Sequence, residues 1–517
     1  MTAPRSFEVV IVGGGAAGIS VAARLRKELP AGRIAVVDPT NTHYYQPLWT
    51  LVGGGVVKKE TTARPQASVV PSGVEWVKDA VADFDPASDS LGLASGGRLG
   101  YRALVVCPGI QLDWSKVEGL AGNVGRHGIC SNYAYDTVDA TWPTIQSVQG
   151  GKALFTHPNT PIKCGGAPQK IMYLAESSFR RRGVRNATEV HFYSGQPDSF
   201  TVPHYAKKLD ELMERRGIVP HYKKSLVAVK PEQRIAVFED LAQPGSREEV
   251  SYSMLHVTPP MSAPDFVKKS ALANAGGWLD VDKGTLRHVR FPKVFGLGDA
   301  SSLPTSKTGA AIRKQAPVAA ANVLALLAGR EPTASYDGYT SCPIVTDYGK
   351  LILAEFDYDK KLCETFPFDQ SKERRSMYLL KRYVLPTLYW QGMLKGRACS
   401  DDPRPARRAD DRAQPRPDGF RRFDPDRAGA GLHGRPGRED RDRGQPVRGR
   451  CDRRGRRRAG RTAARRRLEQ RAVVRRAGHG WHVGRGDVGE ARQRHRADAV
   501  VRRRDGDRRR ADGAAAW

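Results

Sequence analysis

The sequence predicts an α/β fold in which parallel strands alternate with helices, and its opening segment is the clearest indication. Residues 7–12 form an apolar run of strand length, residues 19–28 have the apolar periodicity of a helix, and residues 33–37 form a second apolar run. This order is typical of a βαβ unit with two parallel strands. Another apolar run of strand length, residues 152–156, indicates a second sheet further along the chain.

A glycine-rich turn joins the first predicted strand to the helix. The turn has the spacing Gly-x-Gly-x-x-Gly and comprises Gly13, Gly15, Ala16, Ala17 and Gly18. Glycines here allow a tight turn and a close approach of the backbone to a pyrophosphate, while the helix N-terminus offers free N–H groups and a positive dipole. Asp38 follows the last of these glycines by 20 residues, where a carboxylate can accept hydrogen bonds from ribose. The pattern therefore predicts a Rossmann-type dinucleotide-binding unit.

A second motif distinguishes between the possible dinucleotides. The apolar run 294–297 ends in Gly298 and Asp299, and flavoproteins use such an aspartate to hold the ribityl chain of FAD. An N-cap is the alternative role of Asp299. A helix predicted to begin near residues 306–311 can point its N-terminus at the flavin, where reduction places negative charge. We therefore expect FAD, and the further candidate contacts are Gly109, Lys307 and Thr308.

A second glycine-rich turn, which an NADH site requires, does not follow the predicted strand at 152–156. His157, Pro158 and Pro161 follow it instead. Proline lacks an N–H group and has a fixed φ angle, so this segment cannot form a phosphate-binding turn. We expect a second Rossmann-like domain without a nicotinamide site, and an electron donor other than NADH.

Two cysteines are the candidate redox groups. Cys164 lies shortly after the strand at 152–156, and Cys342 lies far along the chain. The thiolate is the reactive form of cysteine, and we expect Lys163, the neighbour of Cys164, to lower its pKa. Other candidates are interpreted first as core or surface residues, although a role is left open for each of them: Cys107, Cys130, Cys363, His43, His204 and His256.

Several long segments match a known family. They are residues 43–53, 164–174, 254–262, 299–308, 336–345, 352–358 and 364–378. Over roughly residues 7–396 the chain resembles sulfide:quinone oxidoreductase, in the branch that includes the mitochondrial animal enzyme. The resemblance implies an FAD-dependent fold of the pyridine nucleotide-disulfide reductase type, with two Rossmann-like domains and a C-terminal membrane-facing region. It also implies that Cys164 and Cys342 are catalytic and are joined by a disulfide or a trisulfide.

The resemblance further implies a reaction. Hydrosulfide attacks Cys342, leaves a persulfide there and frees the thiolate of Cys164. Two electrons pass to FAD and then to a membrane quinone, while a small acceptor, which is glutathione, sulfite or a second sulfide, removes the sulfane sulfur. The alternative is a soluble FAD-dependent thiol or NADH oxidoreductase of the same superfamily. The missing second glycine turn and the wide separation of the two cysteines argue against that alternative.

We expect the FAD-binding domain at residues 1–110 and 285–335, the second Rossmann-like domain at 111–284, and a capping region at 336–397. Within 371–397, apolar and aromatic residues alternate with lysine and arginine, and no run approaches the roughly 18 apolar residues that indicate a membrane span. The pattern predicts a peripheral interfacial anchor, and helices that pack on the core are the alternative. Because only residues 1–6 precede the first strand, we expect no targeting segment and a place on the cytoplasmic face of a bacterial inner membrane.

Residues 398–517 differ in composition from the rest of the 517-residue chain. They contain 36 arginines, no lysine and 18 acidic residues, so +18 of the formal net charge of +30 lies there. A disordered basic arm that binds nucleic acid or anionic lipid is one interpretation. Because the family resemblance stops near Gly396, we favour a frame-shifted reading of GC-rich DNA, and we expect a disordered tail and no nucleic-acid partner.

Overall fold

Strands and helices alternate through the part of the chain that the structure, a computed structural model, describes, which is residues 5–397. The strands are β1 (Arg5–Val12), β2 (Ile34–Val37), β3 (Thr42–Tyr44), β4 (Ala63–Pro65), β5 (Glu75–Val77), β6 (Val81–Asp85), β7 (Ser90–Leu93), β8 (Arg98–Val106), β9 (Gln111–Leu112), β10 (Ile129–Cys130), β11 (Gly151–His157), β12 (Thr188–Ser194), β13 (Ile218–Tyr222), β14 (Lys224–Lys230), β15 (Ile235–Asp240), β16 (Arg247–Ser251), β17 (Met254–His256), β18 (Met261–Ser262), β19 (Val294–Gly296), β20 (Thr340–Asp347) and β21 (Lys350–Phe356). The α-helices are α1 (Ala16–Leu25), α2 (Trp49–Gly53), α3 (Thr141–Ser147), α4 (Ala167–Arg181), α5 (Pro203–Arg215), α6 (Asp265–Lys268), α7 (Gly309–Leu327), α8 (Arg375–Leu379) and α9 (Leu385–Thr387).

The first sheet contains the βαβ unit that the sequence predicts. Its parallel strands lie in the order β5, β2, β1, β8 and β19, and the antiparallel strands β7 and β6 extend it beyond β8. Val9, Val10 and Ile11 of β1 are fully buried, as expected for a parallel strand that is covered on both faces. Because β1 and β19 run in the same direction, the turn before α1 and the segment after β19 emerge at the same edge of the sheet.

The second sheet is parallel throughout. Its strands lie in the order β10, β17, β11, β12 and β13. Helix α4 connects β11 to β12 and helix α5 connects β12 to β13, and both helices bury large side chains against the sheet. The helices contribute Tyr173, Phe179 and Tyr205 and the strands contribute Phe155 and Phe192, and all five side chains are fully buried. The predicted α/β fold with two Rossmann-like sheets is confirmed, whereas the predicted domain boundaries stay a prediction.

A hairpin and a helical segment complete the described chain. The antiparallel strands β20 and β21 form the hairpin, in which Cys342 is paired with Ala354. A continuous helical run then covers residues 375–395, in which the π turns Leu380–Val384 and Leu388–Gly392 alternate with α8 and α9 and a 3₁₀ turn ends the run. We call this run the C-terminal helix. Within residues 5–397, no helix has the combined length and apolar character that a bilayer crossing needs. The tail predicted at 398–517 lies outside the described residues.

NADH and NADPH are expected not to reduce the bound flavin, because the segment after β11 has no phosphate-binding turn. Strand β11 ends at His157, and Pro158 and Pro161 follow before α4 begins at Ala167. Anaerobic mixing of the purified flavoprotein with either nucleotide should leave the visible absorbance of the flavin unchanged over minutes, while dithionite, as the control, bleaches it. Rapid bleaching by either nucleotide would favour the soluble NADH oxidoreductase instead.

Candidate active site

Two thiols that are far apart in the sequence meet in the fold. Cys164 lies in the loop between β11 and α4, Cys342 lies in β20, and their sulfur atoms are 3.4 Å apart although 178 positions separate them in the chain. Cys342 is only 1% exposed, and Cys164 is partly exposed. Both are free thiols here. Because a disulfide bond measures about 2.05 Å, a small side-chain movement closes the bridge, and a single sulfur atom could also join the two thiols.

The backbone of Cys164 is held in an unusual conformation. Its φ angle is +59°, in the left-handed region that non-glycine residues seldom adopt. The Cys164 N–H group donates to the carbonyl oxygen of Lys307 at 2.8 Å, and its own carbonyl accepts from the N–H group of Ala167 at 2.8 Å. Conformations of this kind persist only where the surrounding structure fixes them, and they cluster at functional sites. The hydrogen bond to Lys307 also joins the loop between β11 and α4 to the segment that precedes α7.

Gly166 permits the close approach of the two cysteine-bearing elements. A β-carbon at this position would lie 2.7 Å from the Cys342 sulfur and 3.2 Å from a side-chain carbon of Ile344. The φ angle of Gly166 is −89°, so its backbone does not require glycine, and only the lack of space does. At the neighbouring Gly165, a β-carbon would meet nothing within 4 Å.

Lys170 supplies the charge beside the thiols. It lies one turn into α4, is 3% exposed, and donates from Nζ to the Cys164 sulfur at 3.0 Å. The hydrogen bond from the Cys342 thiol and then the charge of Lys170 hold the pKa of Cys164 well below its usual range. The hydrogen bond to Cys164 raises the pKa of the Cys342 thiol well above its usual range. The reduced pair is therefore one thiolate, paired with an ammonium group, and one neutral thiol.

A second buried amine, Lys381, approaches the pair from the C-terminal helix. It lies in the π turn Leu380–Val384, is 3% exposed, and donates from Nζ to the carbonyl oxygen of Pro47 at 3.0 Å. Burial, and then repulsion by the charge of Lys170, lowers the pKa of Lys381 to about 7. This amine can therefore gain or lose a proton near neutral pH.

Lys163 does not have the role that its place beside Cys164 suggests, and that expectation is wrong. Its Nζ donates to Gln46 Oε1 and to the carbonyl oxygen of Tyr133, each at 2.8 Å, and lies over the ring of Trp49. The reversal of the chain at Cys164 turns the Lys163 side chain away from the sulfur, and Lys170 takes its place. Burial nevertheless lowers the pKa of Lys163 to about 8.

Buried ion pairs fasten the far half of α4 to the hairpin. The Glu176 carboxylate has no exposed side-chain surface and accepts from Arg180 Nε at 2.7 Å and from Arg216 Nη1 at 3.3 Å. Asp347, at the end of β20, accepts from the Ser177 hydroxyl and lies 3.8 Å from Arg216. Removing one partner of a buried ion pair typically lowers the free energy of unfolding by about 3–5 kcal/mol. This cluster therefore fixes how the helix that carries Lys170 and the strand that carries Cys342 are aligned.

The predicted dinucleotide turn has the expected shape. Gly13 has a φ angle of +103°, and a β-carbon there would lie 2.5 Å from the carbonyl oxygen of Cys107. A β-carbon at Gly18 would lie 1.9 Å from the carbonyl oxygen of Gly13, so the helix packs directly on the turn. At Gly15, the N-cap of α1, a β-carbon would meet nothing, and Ala16, Ala17 and Gly18 form the first turn of the helix. The N-terminus of α1 therefore faces open space, as an anion-binding turn requires.

Asp38 and Asp299 lie at the same edge of the first sheet. Oδ2 of Asp38 accepts from the N–H group of Gly14 at 2.6 Å, and Oδ1 accepts from that of Thr40 at 2.8 Å. Asp299 is partly buried, and its Oδ1 atom is shielded from solvent and has no hydrogen-bond partner among the described residues. Burial raises the pKa of Asp299. A buried carboxylate oxygen without a partner fits a donor from a bound molecule, such as a ribityl hydroxyl.

Three of the other predicted cofactor contacts lie near Asp299. Gly298 has a φ angle of +74°, and the Thr308 hydroxyl caps α7 by accepting from Ala311 N. Lys307 donates to the carbonyl oxygen of Ser301 at 2.9 Å, and burial lowers its pKa to about 8. These three residues line one cleft with Asp299, and they fit FAD. Gly109 has a φ angle of +87° with open space at its β-carbon position.

Among the described residues, none of the other candidate cysteines and histidines hydrogen-bonds to either thiol of the pair, and their interpretation as core or surface residues stays a prediction. Burial raises the pKa of Cys130 to about 12 and lowers the pKa of His256 to about 3, so neither group is charged at neutral pH. Cys107 is buried under the dinucleotide turn, Cys363 is partly buried near the hairpin, and His204 is exposed.

Sequence reasoning missed three residues of the site. Lys170 could have been found, because it lies six residues after Cys164, within a segment that carries the family resemblance, and one turn into a predictable helix. Gly166 gives no local sign of what it approaches. Lys381 lies among apolar residues that predict an interfacial anchor, and nothing in that pattern separates a buried lysine from an exposed one.

A thiol pair held beside a dinucleotide-binding turn defines a flavin-dependent disulfide oxidoreductase. In agreement, the family model described as pyridine nucleotide-disulphide oxidoreductase matches residues 7–140. The mitochondrial sulfide:quinone oxidoreductase of Mus musculus is 47% identical over 76% of this chain and 88% of its own length. That of Dictyostelium discoideum is 45% identical over 75% of this chain and 86% of its own length. The chain therefore belongs to the sulfide:quinone oxidoreductase family.

A solved structure agrees in fold. The sulfide:quinone oxidoreductase of Aquifex aeolicus superposes with a TM-score of 0.64 over 77% of this chain and 93% of its own, at 18% sequence identity. This likeness concerns the fold alone, because the sequences are so distant. The solved structure confirms the predicted fold class, whereas the relatives and the family model confirm the predicted family and its dependence on FAD.

Replacing Gly166 by alanine should push the two sulfurs apart without straining the backbone, because the new methyl group would overlap the Cys342 sulfur. Overpacking of this kind typically costs about 1–3 kcal/mol. We expect the thermal midpoint to fall and oxidation to a Cys164–Cys342 bridge, followed by mass spectrometry, to slow at least about tenfold. Gly165→Ala is the matched control, since its β-carbon meets nothing. Equal bridge formation in the two variants would contradict this account of Gly166.

Proposed function

We propose that the Cys164–Cys342 pair oxidises hydrogen sulfide and that a quinone receives the two electrons that are released. The observation that carries this proposal is the 3.4 Å separation of the sulfurs with Lys170 Nζ 3.0 Å from Cys164. Family membership supports the reaction, and it favours this function over a soluble thiol or NADH oxidoreductase.

The different environments of the two thiols support attack at Cys342. In the bridged form, the sulfide sulfur bonds to the Cys342 sulfur, and the bond to Cys164 breaks. The electron pair leaves on Cys164, whose pKa is lowered, and a sulfur of lower pKa is the better leaving group. Lys170 Nζ stabilises the departing thiolate. A persulfide on Cys342 and a thiolate on Cys164 are the products of this step.

A small acceptor then completes the sulfur transfer. Cys342 is 1% exposed, so the nucleophile that removes the outer sulfur of the persulfide must reach a nearly closed site. Sulfite, a second sulfide or the thiol of glutathione has the required nucleophilic atom. Lys381, with a pKa of about 7, can supply or take up a proton beside the pair during this exchange.

The residues at the edge of the first sheet would hold the cofactor. The turn Gly13–Gly18 would face the pyrophosphate, Asp38 the ribose, and Asp299 the ribityl chain, with Gly109, Gly298 and Thr308 close by. When bound, FAD would supply the acceptor for the two electrons that re-formation of the cysteine bridge releases, and a donor of two electrons to the quinone. Lys307, which is joined to Cys164 through the backbone, would supply a positive charge that stabilises a reduced, anionic flavin.

We further propose that the outer face of the C-terminal helix contacts a membrane surface. Four apolar side chains are exposed on this helix: Leu379 at 44%, Tyr383 at 55%, Val384 at 53% and Leu388 at 38%. No acidic residue occurs from 374 to 397, whereas arginines and lysines flank the apolar residues. An exposed apolar face with basic neighbours suits the interface of a lipid bilayer, from which a quinone must come.

Two aromatic residues do not belong to this contact surface. Tyr389 and Trp390, which the sequence pattern groups with the anchor, are only 6% exposed and pack against the first domain. The compartment also stays a prediction. The two relatives are named as mitochondrial, and the bacterial inner membrane and its cytoplasmic face gain no support from them.

Each of the substitutions Cys164→Ser and Cys342→Ser should lower sulfide-dependent quinone reduction by more than about a hundredfold, because both thiols are needed to cycle the bridge. FAD content, measured by absorbance, should stay normal in both variants. Cys363→Ser, at a cysteine outside the pair, is the matched control and should keep full activity. Near-normal turnover in either of the first two variants would rule out the mechanism.

Replacing Lys170 by methionine should move the titration of Cys164 to higher pH. The wild-type thiol keeps its thiolate form well below the usual cysteine pKa of about 8.5, and loss of the ammonium charge favours the protonated form. Alkylation of the reduced protein by iodoacetamide, measured against pH, should therefore have a higher midpoint in Lys170→Met. Lys208→Met, at a lysine of α5 that pairs with Glu211, should leave the midpoint unchanged. An unshifted midpoint in Lys170→Met would contradict the assigned role.

Removing apolar surface from the outer face of the C-terminal helix should weaken vesicle binding. We expect the double variant Tyr383→Ser, Val384→Ser to lose at least about tenfold in partitioning to liposomes, because both side chains are more than half exposed. Reduction of the flavin by sulfide should be unchanged. Val219→Ser, Val289→Ser removes exposed apolar surface elsewhere and serves as the control. Normal liposome binding by the first variant would exclude this face as the membrane contact.

A further inference from the structure

The backbone of Gly14, in the middle of the dinucleotide turn, is held on both sides by side chains from three separate segments. Its N–H group donates to Asp38 Oδ2 at 2.6 Å. Its carbonyl oxygen accepts from Gln66 Nε2 at 2.9 Å and contacts His43 Nδ1 at 3.0 Å. His43 is 2% exposed, so this contact is shielded from water. The orientation of the Gly14 carbonyl, and with it the shape of the turn that would face a pyrophosphate, therefore depends on His43.

The second ring nitrogen of His43 reaches the C-terminal helix. His43 Nε2 lies 2.5 Å from the hydroxyl oxygen of Tyr389. Because a carbonyl oxygen can only accept, Nδ1 must carry the proton that is donated to Gly14. Burial lowers the pKa of His43 and keeps the ring neutral, so Nε2 accepts from the Tyr389 hydroxyl. A directed chain of hydrogen bonds thus runs from Tyr389 through His43 to the carbonyl of Gly14.

The inner face of the C-terminal helix packs on the segments that surround the hydrogen bonds of His43. The rings of Tyr389 and Tyr45 lie 4.5 Å apart, and the Arg64 guanidinium lies 4.1 Å from the centre of the Trp390 ring. Just beyond the helix, the carbonyl oxygen of Gly396 accepts from Lys27 Nζ at 2.5 Å. These contacts attach the helix to the segments around β3 and β4 and to the residues that follow α1. None of them touches the two catalytic thiols.

We propose that Tyr389 and His43 are positioning residues that couple the docking of the C-terminal helix to the binding of FAD. A pyrophosphate bound at the turn would fix the orientation of the Gly14 carbonyl. Through His43, it would also favour the position of Tyr389 in the docked helix. Coupling between two binding events is reciprocal, so the docked helix raises the affinity for FAD by the same factor. The inference depends on FAD as the cofactor and does not depend on the reaction at the cysteine pair.

The substitution Tyr389→Phe tests the coupling, because it removes one hydroxyl and keeps the ring. We expect FAD to leave the variant roughly three to ten times faster than the wild type, in keeping with the loss of one hydrogen bond. FAD should also raise the thermal midpoint of the variant less than that of the wild type. Tyr383→Phe, on the exposed face of the same helix, is the matched control and should release FAD at the wild-type rate.

A purely structural role of Tyr389 would give a different result. The midpoints of the apoprotein and of the FAD-loaded protein would then fall equally in Tyr389→Phe, with an unchanged rate of FAD release, and this outcome would overturn the proposal. Hydrogen exchange of wild-type peptides from residues 375–395, with and without FAD, gives a second test even if the variant does not fold. Slower exchange in the presence of FAD supports the coupling, and equal exchange refutes it.

Discussion

The negative charge on the Cys164 sulfur is the constraint on which the rest of the site depends. A thiolate that is partly removed from water is stabilised by a neighbouring positive charge, which lowers the pKa of the thiol. Lys170 Nζ supplies that charge at 3.0 Å, and this contact requires α4 to begin close to Cys164. The Cys342 thiol donates to the same sulfur, which fixes β20 as well. The ion pairs of Glu176 and Asp347 maintain this alignment at the other end of the helix.

The two sheets contribute different parts of the chemistry. The carboxyl edge of the first sheet presents the dinucleotide turn and Asp299, and the second sheet presents the loop with Cys164 after β11. The hydrogen bond from Cys164 N to Lys307 O joins these two edges, because Lys307 precedes the helix that faces the cofactor cleft. The left-handed backbone at Cys164 belongs to the same arrangement, since the loop must turn sharply to meet both partners. The loop that carries Cys164 and the segment that precedes α7 are therefore joined directly through the backbone.

Sequence patterns identified those parts of the site whose geometry is local. The glycines of the turn, Asp38 and Asp299 each follow a strand directly, so spacing along the chain fixes their position in space. The pairing of Cys164 with Cys342 came from the family resemblance, since no local pattern relates residues so far apart. Lys163 was the wrong lysine because adjacency in sequence does not fix the direction of a side chain. Hydropathy likewise could not separate the buried Tyr389 from the exposed Tyr383, because both suit a bilayer interface and a protein core.

The two π turns of the C-terminal helix determine how this segment tolerates insertions and deletions. Lys381 and Tyr389 are eight residues apart, and in a regular helix of about 3.6 residues per turn they would point about 80° apart. The wider π turns reduce the rotation per residue, so both side chains are buried against the first domain. A single inserted or deleted residue between them would rotate Tyr389 by about 100° and break its contact with His43. The segment is therefore strict about its length.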